Sequence, residues 1–489
     1  MTERRDAPVR APEIARPAMT WFNVDAPLSL TDLRGRIIIL DFWTFCCINC
    51  MHVLPSLARV EERFPDDVAV IGVHSPKFFA ERDPDNVAAA IARYGIRHPV
   101  VHDPNMTLWR EYAVRAWPTL VFLDPEGYVI GQFSGEPDAD RLVAAVGDLV
   151  EQARGRGVLE PGPLLLQEAP RLEGTLAFPG KIKPLPGGGW IIADSGHDRI
   201  VVADAAGRFQ VAYGSGEAGF ADGDADTARF RAPQGLVADA TTIYVADTGN
   251  HAVRAIDRAS GRVSTLAGTG RRGTVLGGPV PAAATALASP WDLEIAGTRL
   301  HVANAGSHQL GVIDLSAGTL ARLAGNGAEA LVDGEAQEGA ALAQPSGLAL
   351  DPDRKRLYFA DSETSAVRVL DLEAGQVTTL VGAGLFDFGH KNGPFANARL
   401  QHALGLAWTE RGLVVADSYN RAVRLLELDS DQASDIEPGL TCQDPVCLPL
   451  GEPAGIADAG NGLLLLADTN NHRILELNPA GASYRTWMH

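Results

Sequence analysis

Three unbroken apolar runs mark the first third of the chain. Residues 37–40, 68–73 and 120–123 lack the alternation of a half-exposed strand, and such runs are typical of strands buried on both faces of a sheet. Apolar residues then recur at near-helical spacing over residues 51–60, so a helix is predicted directly after the first strand. Further helices are predicted over residues 86–94, 108–112 and 142–150. Strands that alternate with helices indicate an α/β domain.

The pattern beyond about residue 171 is a repeat of short alternating strands. An Ala-Asp-Ser/Thr tripeptide, or a close variant, precedes a short turn and a strand in every copy. Successive copies lie 51 to 57 residues apart, and each supplies about four strands. Six copies therefore predict a six-bladed β-propeller. The copies begin at Ala193, Ala246, Ala303, Ala360, Ala416 and Ala467.

The repeated acids of the propeller are predicted to have structural roles. An Asp at the same turn in five of six repeats is best explained as a brace that bonds backbone amides at the turn between the second and third strands. Arg254, Arg368 and Arg424 follow such acids by seven residues and are expected to pair with them or with neighbouring blades. Glycine-rich insertions at 219–223 and 389–393 are expected to be less constrained and to form a recognition surface on one rim.

Charge and cysteine usage limit the partners and the compartment. The formal net charge of −19 argues against nucleic acid and anionic membranes as partners. No apolar run approaches the roughly 20 residues of a membrane helix, and the first residues lack the apolar core of a signal peptide. Three of the five cysteines lie close together, while Cys442 and Cys447 stand apart. This usage favours a cytoplasmic location, where that pair is expected to be free thiols, with a disulfide as the alternative.

The candidate chemistry lies where the first strand passes into the first helix. Cys47 and Cys50 form a Cys-x-x-Cys pair at this point. Unpaired amides at a helix N-terminus stabilise a thiolate, so Cys47 is predicted to be the attacking nucleophile. A second thiol three residues later can resolve a mixed disulfide by intramolecular attack, which is the role predicted for Cys50.

The surrounding residues resemble the thioredoxin fold, and in particular its TlpA/ResA-like branch. Phe42, Trp43, Cys47, Cys50 and Pro55 match the positions of the Phe-Trp-x-x-Trp-Cys-x-x-Cys motif and its following proline, although Cys46 replaces the second tryptophan. The residues between the two cysteines are Ile-Asn rather than Gly-Pro, so thioredoxin's redox potential does not transfer.

The same resemblance supplies roles for residues beyond the dithiol. Asp41 lies at the position of the buried acid that exchanges a proton with the second thiol. Trp117, Pro118 and Thr119 match the cis-proline loop, which in this fold faces the dithiol and docks the substrate chain. These three are therefore expected to be substrate-docking residues.

Three more residues near the motif are candidate accessory groups. Cys46 is a third thiol that could compete in exchange. His52, two residues after Cys50, could favour the thiolate, although a histidine there is more often an ordinary helix-surface residue. His74 follows the strand 68–73, and loops at the carboxyl ends of parallel strands line the site in such folds.

The string Cys-Cys-Ile-Asn-Cys-x-His is similar to that of the NHL repeat-containing protein 2 family, which joins a thioredoxin-like domain to a six-bladed propeller. The pairs Asn250-His251, Asn420-Arg421 and Asn471-His472 resemble the NHL repeat. The resemblance predicts an α/β thioredoxin-like fold followed by an all-β six-bladed propeller. The expected boundaries are a mobile arm over 1–20, a thioredoxin-like domain over 21–150, a linker over 151–170 and the propeller over 171–489.

The main functional hypothesis is a thiol-disulfide oxidoreductase that acts on a protein thiol or disulfide, with a cellular reductant and no cofactor. The propeller would then recruit the substrate or another protein. The alternative is a binding scaffold whose thioredoxin-like domain is a redox sensor or relic. A zinc site built from Cys46, Cys47, Cys50 and His52 is disfavoured, because adjacent cysteines at one helix start rarely converge on a metal. A metal on the propeller axis, as in lactonase-like folds, also remains open.

Overall fold

The structure, a computed structural model, describes residues 9–167, 172–436 and 441–489. The chain divides into two compact units, Met1–Arg171 and Leu172–His489. Within the described residues, the first unit has seven strands and four α-helices, and the second has twenty-eight strands in six sheets. The combination of a thioredoxin-like domain and a six-bladed propeller is as predicted.

The first unit is a seven-stranded mixed sheet with helices on its faces. Its elements are β1 (Val9–Arg10), β2 (Trp21–Phe22), β3 (Ile37–Trp43), α1 (Ile48–Arg63), β4 (Val68–His74), a 3₁₀ turn (Ala80–Arg82), α2 (Pro84–Tyr94), β5 (Val100–His102), α3 (Thr107–Glu111), β6 (Thr119–Leu123), β7 (Tyr128–Ser134) and α4 (Ala139–Arg156). The strand order is β1-β7-β6-β3-β4-β5-β2, with β3, β4 and β5 parallel and the other pairings antiparallel.

The central strand β3 separates two apolar cores. All seven of its residues are buried, and alternate side chains enter the core beneath α1 and α4 or the core on the opposite face. Register pairs Asp41 with Gly72 of β4 on one side and with Leu120 of β6 on the other. The strand ends at Trp43, four residues before the first cysteine of the pair, so the sheet fixes where the dithiol lies.

The expected mobile arm and linker differ from the structure. Residues 1–8 lie outside the described residues, but Val9–Arg10 pairs with β7, and Ala11 and Ile14 are buried in the first core. The burial of these two apolar side chains therefore holds the second half of the predicted arm against the first unit. The predicted linker likewise begins inside α4, which continues to Arg156, and the Glu160 amide donates to the carbonyl of Gly35. Residues 168–170 of that linker are outside the described range.

The second unit contains six sheets, which are the blades; their strands pair antiparallel, except that Thr441–Cys442 runs parallel to Ser483–Met488. Blade 1 contains β8 (Pro179–Pro184), β9 (Trp190–Asp194), β10 (Arg199–Ala203) and β11 (Phe209–Tyr213). Blade 2 contains β12 (Gly235–Ala238), β13 (Thr242–Asp247), β14 (Ala252–Asp257) and β15 (Val263–Ala267). Blade 3 contains β16 (Val280–Pro281), β17 (Pro290–Ala296), β18 (Arg299–Asn304), β19 (Gln309–Asp314) and β20 (Thr319–Ala324). Blade 4 contains β21 (Gly334–Glu335), β22 (Pro345–Leu350), β23 (Arg356–Asp361), β24 (Ala366–Asp371) and β25 (Gln376–Val381).

The last two blades continue this arrangement. Blade 5 contains β26 (Gly393–Pro394), β27 (Gly405–Thr409), β28 (Gly412–Asp417), β29 (Ala422–Glu427) and β30 (Gln432–Asp435). Blade 6 contains β31 (Thr441–Cys442), β32 (Pro453–Gly460), β33 (Leu463–Asp468), β34 (Arg473–Asn478) and β35 (Ser483–Met488). In blades 3 to 6 a two-residue strand from the preceding connection adds a fifth, outermost strand.

The Ala-Asp-Ser/Thr motif holds each blade together and joins it to the next. The acid accepts the amide of a residue in the segment before its own blade's first strand, for example Ala343 to Asp361 at 2.7 Å. The predicted bond to amides of the same turn is therefore replaced by a bond to the segment that precedes the first strand of the blade. The following hydroxyl donates to a carbonyl that begins the next blade, as Ser362 does to Ala403. Blade 3 is the exception: Asn304 replaces the acid and accepts the Ala288 amide, and Ala305 replaces the residue with the hydroxyl.

The predicted arginine pairing is confirmed. Arg254, Arg368 and Arg424 are fully buried, and each donates to the acid seven residues earlier at 2.9 Å. Each guanidinium also bonds the insertion before its blade; Arg254, for example, bonds the carbonyl of Ala221 and the carboxylate of Asp222. The insertions are therefore held to the blades by buried cations, which corrects the expectation that they are less constrained.

A second contact recurs between successive blades and also closes the ring. In five of the six blades, the side chain that follows the motif turn accepts the backbone N–H of a positive-φ residue in the next blade, whereas blade 5 has Arg421 there, which cannot accept. His472 of blade 6 accepts in this way from Phe178 of blade 1 at 3.0 Å. Trp190 and Trp487 pack edge to face across the same junction. The ring is closed by packing between two complete blades. The four matching contacts are Asp198 with Ala232, His251 with Ser289, His308 with Gln344 and Ser365 with His402.

Candidate functional site

The two cysteines lie at the start of α1 in different environments. Cys47 is the N-cap residue, and its half-buried sulfur accepts the backbone N–H of Cys50 at 3.3 Å. Cys50 has no exposed surface. Its pKa is raised, because burial penalises the thiolate and because Cys47 and Asp41 lie nearby as negative groups. The accessible sulfur at the helix start suits attack, and the buried thiol suits resolution once a base takes its proton.

Asp41 lies within the sheet, on the face that α1 covers. It is fully buried, and neither carboxylate oxygen accepts a hydrogen bond from the described residues. Burial raises its pKa to about 7, against an opposing influence of His98. A carboxyl group that titrates near neutral pH can take a proton from a thiol and return it.

A buried carboxylate that the sequence analysis missed supports the loop before the dithiol. Glu81 has no exposed surface and accepts four hydrogen bonds. Thr44 Oγ1 and the Cys46 amide donate to one oxygen at 2.6 and 3.0 Å, and the amides of Lys77 and Phe78 donate to the other at 2.8 Å. Glu81 therefore joins the loop 44–46 to the segment after β4. Its partners are mainly backbone amides, which leave no motif in the sequence.

Cys46 and His52 are both held by their surroundings. Cys46 is 3% exposed, and its sulfur lies 4.0 Å from Thr44 Oγ1. Its burial disfavours the expected competition in exchange. The Nδ1 atom of His52 lies 3.0 Å from Glu136 Oε2, in the segment before α4. This contact makes His52 part of the packing between α1 and that segment.

His74 is the third accessory candidate, and it forms a buried pair with His102. The two Nδ1 atoms lie 3.1 Å apart, and His102 Nε2 lies 3.1 Å from the carbonyl of Arg82. Burial lowers the pKa of both imidazoles, so both are neutral at pH 7. His74 stacks on Phe45, with ring centroids 5.3 Å apart and an interplanar angle of 20°. His74 therefore buttresses the loop that precedes Cys47.

The loop predicted to dock substrate lies at the same edge of the sheet as the dithiol. The Trp117–Pro118 bond is cis, as the resemblance predicted. Because Thr119 pairs with Phe42, the proline comes beside the end of β3. Trp117 is half-buried and donates through Nε1 to the carbonyl of Ser75 at 3.0 Å. Thr119 is fully buried, and its hydroxyl bonds the Ala116 carbonyl and the Ser134 hydroxyl, so its side chain is not free to contact a substrate.

Cys442 and Cys447 are joined by a disulfide, which corrects the expectation of free thiols. Their Cα atoms are 6.1 Å apart, within the usual range for a disulfide, because the loop with Pro445 turns back on itself. Asp444 within this loop accepts the backbone N–H of Thr486 on the outer strand. The bond weakens the cysteine-based argument for a reducing compartment, and the cytoplasmic location stays a prediction.

Neither a metal centre nor a membrane span is found in the described parts of the chain. Within residues 9–167, 172–436 and 441–489, no three His, Cys, Asp or Glu side chains are grouped to hold a metal ion. None of the helices in these ranges is long and apolar enough to cross a membrane. The zinc alternative at the dithiol thus gains no support.

Comparisons with known proteins relate both units to one family. A family model described as thioredoxin-like matches residues 35–129. Protein SUPPRESSOR OF QUENCHING 1, chloroplastic, of Arabidopsis thaliana is 40% identical over 94% of this chain and 46% of its own length. This chain thus spans about half of that relative. The first unit is related to thiol-disulfide oxidoreductases, since ResA of Bacillus thuringiensis (strain Al Hakam) is 26% identical over 24% of this chain and 64% of ResA.

One similar protein matches the chain across both units and over most of its own length. NHL repeat-containing protein 2 of Gallus gallus is 36% identical over 97% of this chain and 71% of its own length. The order of a thioredoxin-like unit and a six-bladed propeller, together with this coverage, identifies the chain as a member of the NHL repeat-containing protein 2 family.

Proposed function

We propose that this protein is a thiol-disulfide oxidoreductase that uses Cys47 and Cys50. The observation that supports this most directly is the contrast between the two sulfurs. Cys47 is half-buried at a helix N-cap, whereas Cys50 is fully buried and its pKa is raised. Such a pair favours attack by the first sulfur and delayed, base-assisted attack by the second.

In the proposed reaction, the Cys47 thiolate attacks a substrate disulfide, and one substrate sulfur leaves as a thiolate. Cys50 gives its proton to Asp41 and attacks Cys47 in the mixed disulfide. A Cys47–Cys50 bond forms, the bond from Cys47 to the substrate breaks, and the second substrate sulfur leaves. The substrate disulfide is reduced to two thiols, the dithiol is oxidised, and a cellular dithiol reductant restores it.

We further propose that the propeller recruits a protein partner through one rim. The connections between blades carry exposed apolar side chains at corresponding places: Phe220, Val275, Val332 and Phe386, which are 42%, 53%, 45% and 74% exposed. Because each blade is an antiparallel meander, these connections share one rim with the motif turns. Exposed apolar groups on a rigid rim are typical of protein-binding surfaces.

Trapping of mixed disulfides tests the catalytic proposal. The Cys50→Ser variant of the full chain should accumulate disulfide-linked partners through Cys47, because the resolving thiol is absent. Cys47→Ser and the Cys47→Ser/Cys50→Ser double variant should trap none. Equal trapping by all three variants would contradict the assigned roles. Phe386→Ser in the Cys50→Ser background should reduce trapping only if the rim recruits the substrate.

A further inference from the structure

A group of buried polar atoms that have no hydrogen-bond partner among the described residues lies beneath α1. It consists of both carboxylate oxygens of Asp41, Nε1 of Trp43 and Nε2 of His98. These side chains are 0%, 0% and 4% exposed. Buried polar atoms normally find hydrogen-bond partners, so several unpartnered ones in the same region require an explanation. The proposed reaction uses Asp41 but neither Trp43 nor His98.

Gly72 places these atoms around a common space. It pairs directly with Asp41 across the parallel strands β3 and β4. A Cβ atom at this position would lie 3.0 Å from Trp43 Nε1, 3.1 Å from Val100 Cγ2 and 3.4 Å from His98 Nε2. A side chain here would collide with these neighbours, so the glycine allows the two polar groups to approach the strand that pairs with Asp41. The Gly72 amide donates to the Pro99 carbonyl, which holds the His98 segment against the strand.

His98 lies between this buried space and the surface of the protein. Asn23 donates to the carbonyls of Ile96 and His98 at 2.9 Å, which fixes the backbone of this segment. The other ring nitrogen, Nδ1, lies 3.5 Å from Glu61 Oε2 on α1. The Glu61 side chain is 31% exposed, whereas that of His98 is 4% exposed. His98 thus has one nitrogen toward the buried space and the other at a carboxylate in contact with solvent.

We propose that Asp41, His98 and Glu61 form a proton route that connects the buried resolving thiol to solvent beneath α1. This inference rests on the proposed function and adds the path by which Asp41 loses the proton it receives. An imidazole suits the middle position because it accepts a proton at one nitrogen and releases one at the other. A single water molecule in the space beside Gly72 would complete the hydrogen-bonded connection.

The route solves a specific problem of the buried dithiol. Asp41 must be a carboxylate when Cys50 attacks the mixed disulfide, and a group with a pKa of about 7 is partly protonated at neutral pH. The direct path through the dithiol is covered by bound substrate at that stage. Glu61 lies about 16 Å along α1 from Cys50, so the proton leaves at a surface that a substrate at the dithiol does not cover.

The groups that face this route are few. Asp41 interacts electrostatically with His98 and with the Cys50 thiol. Cys47 lies beside Cys50. His98 faces Glu61 from α1 and Asp41 from β3. A positive charge on His98 favours the carboxylate form of Asp41, so its loss should make Asp41 harder to deprotonate.

The first test measures the resolving step in full-length protein. In a Cys46→Ser background, the reduced dithiol reacts with dithionitrobenzoate; attack by Cys47 releases one thionitrobenzoate, and attack by Cys50 releases a second. His98→Gln and Glu61→Gln should slow the second release about tenfold and shift its pH profile, and leave the first release unchanged. Glu62→Gln, on the exposed side of α1, is the matched control and should behave as the parent.

Epistasis with Asp41 separates a proton route from a structural effect. Asp41→Asn should slow the second release about 100-fold, and His98→Gln should add nothing in that background. Parental rates in both His98→Gln and Glu61→Gln, or a His98 effect that multiplies that of Asp41→Asn, would overturn the proposal.

A carboxyl titration gives a readout that does not depend on activity. In ¹³C-aspartate spectra, the Asp41 carboxyl should titrate at higher pH in His98→Gln than in the parent. An unchanged titration would overturn the route. If the parent protein transfers no disulfide, the proposed function fails, while this titration still decides whether His98 acts on Asp41.

Discussion

Glu81 accepts a hydrogen bond from the Thr44 hydroxyl at 2.6 Å, although the two residues lie on different loops of the first unit. Its second oxygen holds the amides of Lys77 and Phe78. The carboxylate is fully buried, and burial raises its pKa despite four donors. The loop that leads into Cys47 is thus set by a residue outside the dithiol motif.

Glu81→Ala should therefore loosen this loop. The substitution leaves buried donors without an acceptor, and each such group costs about 1–3 kcal/mol, so a loss of at least about 3 kcal/mol is expected. Hydrogen exchange at the amides of Cys46 and Phe78 measures the effect, with the exposed Glu62→Ala as control. Unchanged protection at both amides would show that Glu81 does not hold the loop.

Asp41 should make the first unit less stable as the pH rises. Burial raises its pKa from the ordinary aspartate value of 3.8 to about 7, so the folded state retains a proton that the unfolded state has lost. Between these values stability should fall with increasing pH, by up to about 4 kcal/mol in all.

The free energy of unfolding of the Asp41→Asn variant should depend on pH with a much smaller slope. Above pH 7 the variant should be more stable than the parent. Denaturant unfolding from pH 4 to pH 8, monitored through hydrogen exchange of the β3 amides, measures the stability and its dependence on pH. Asp66→Asn, at an exposed site, should retain the parental slope. A parental slope in Asp41→Asn would mean that Asp41 is not the titrating group.

The propeller should lose stability in acid at its closing contact. Burial lowers the pKa of His472, whose Nδ1 accepts the Phe178 amide. The unfolded chain therefore takes up a proton first, and stability falls as the pH drops below the unfolded histidine value of about 6.5. His472→Ala should cost about 1–3 kcal/mol at pH 7 and should weaken this acid dependence.

Thermal unfolding of the propeller at pH 7 and pH 5, compared between His472→Ala and the parent, tests this contact. A variant that loses nothing at pH 7 would show that the His472–Phe178 bond does not stabilise the ring. Burial also lowers the pKa of His308, which makes a matching contact, so part of the acid dependence should remain in the His472→Ala variant.

Alkylation rates should rank the three clustered cysteines. Cys47 is the accessible sulfur, whereas Cys46 and Cys50 are 3% and 0% exposed. A small alkylating reagent should therefore modify Cys47 first under native conditions, and all three at similar rates in denaturant. Mass spectrometry of the modified peptides measures the order. Faster native labelling of Cys46 would restore it as a competing thiol.

The sequence predicts those parts of the fold that depend on local pattern. Apolar runs in the sequence mark the buried strands, and recognisable motifs mark the helix at Cys47 and the cis bond before Pro118. The six repeats leave the acid and arginine positions that pair in the structure, such as Asp247 with Arg254.

Contacts between distant segments were not predictable in this way. Glu81 binds backbone amides, which any sequence supplies. His98 comes beside Asp41 only because β4 carries Gly72 at the paired position. Ala11 and Ile14 belong to a short apolar segment within a polar stretch, and only the folded core shows that they are buried. The disulfide of Cys442 depends on a turn that spacing alone leaves open.

The most direct test of the account is a redox titration of the Cys47–Cys50 pair in glutathione buffers. Thiol alkylation and mass spectrometry read the fraction oxidised, with Cys46→Ser as control. We predict one two-electron transition within roughly −120 to −270 mV, the range of known thiol oxidoreductases, and no change in Cys46→Ser. Absence of a Cys47–Cys50 disulfide throughout that range would contradict the account and leave the propeller as the functional part of the protein.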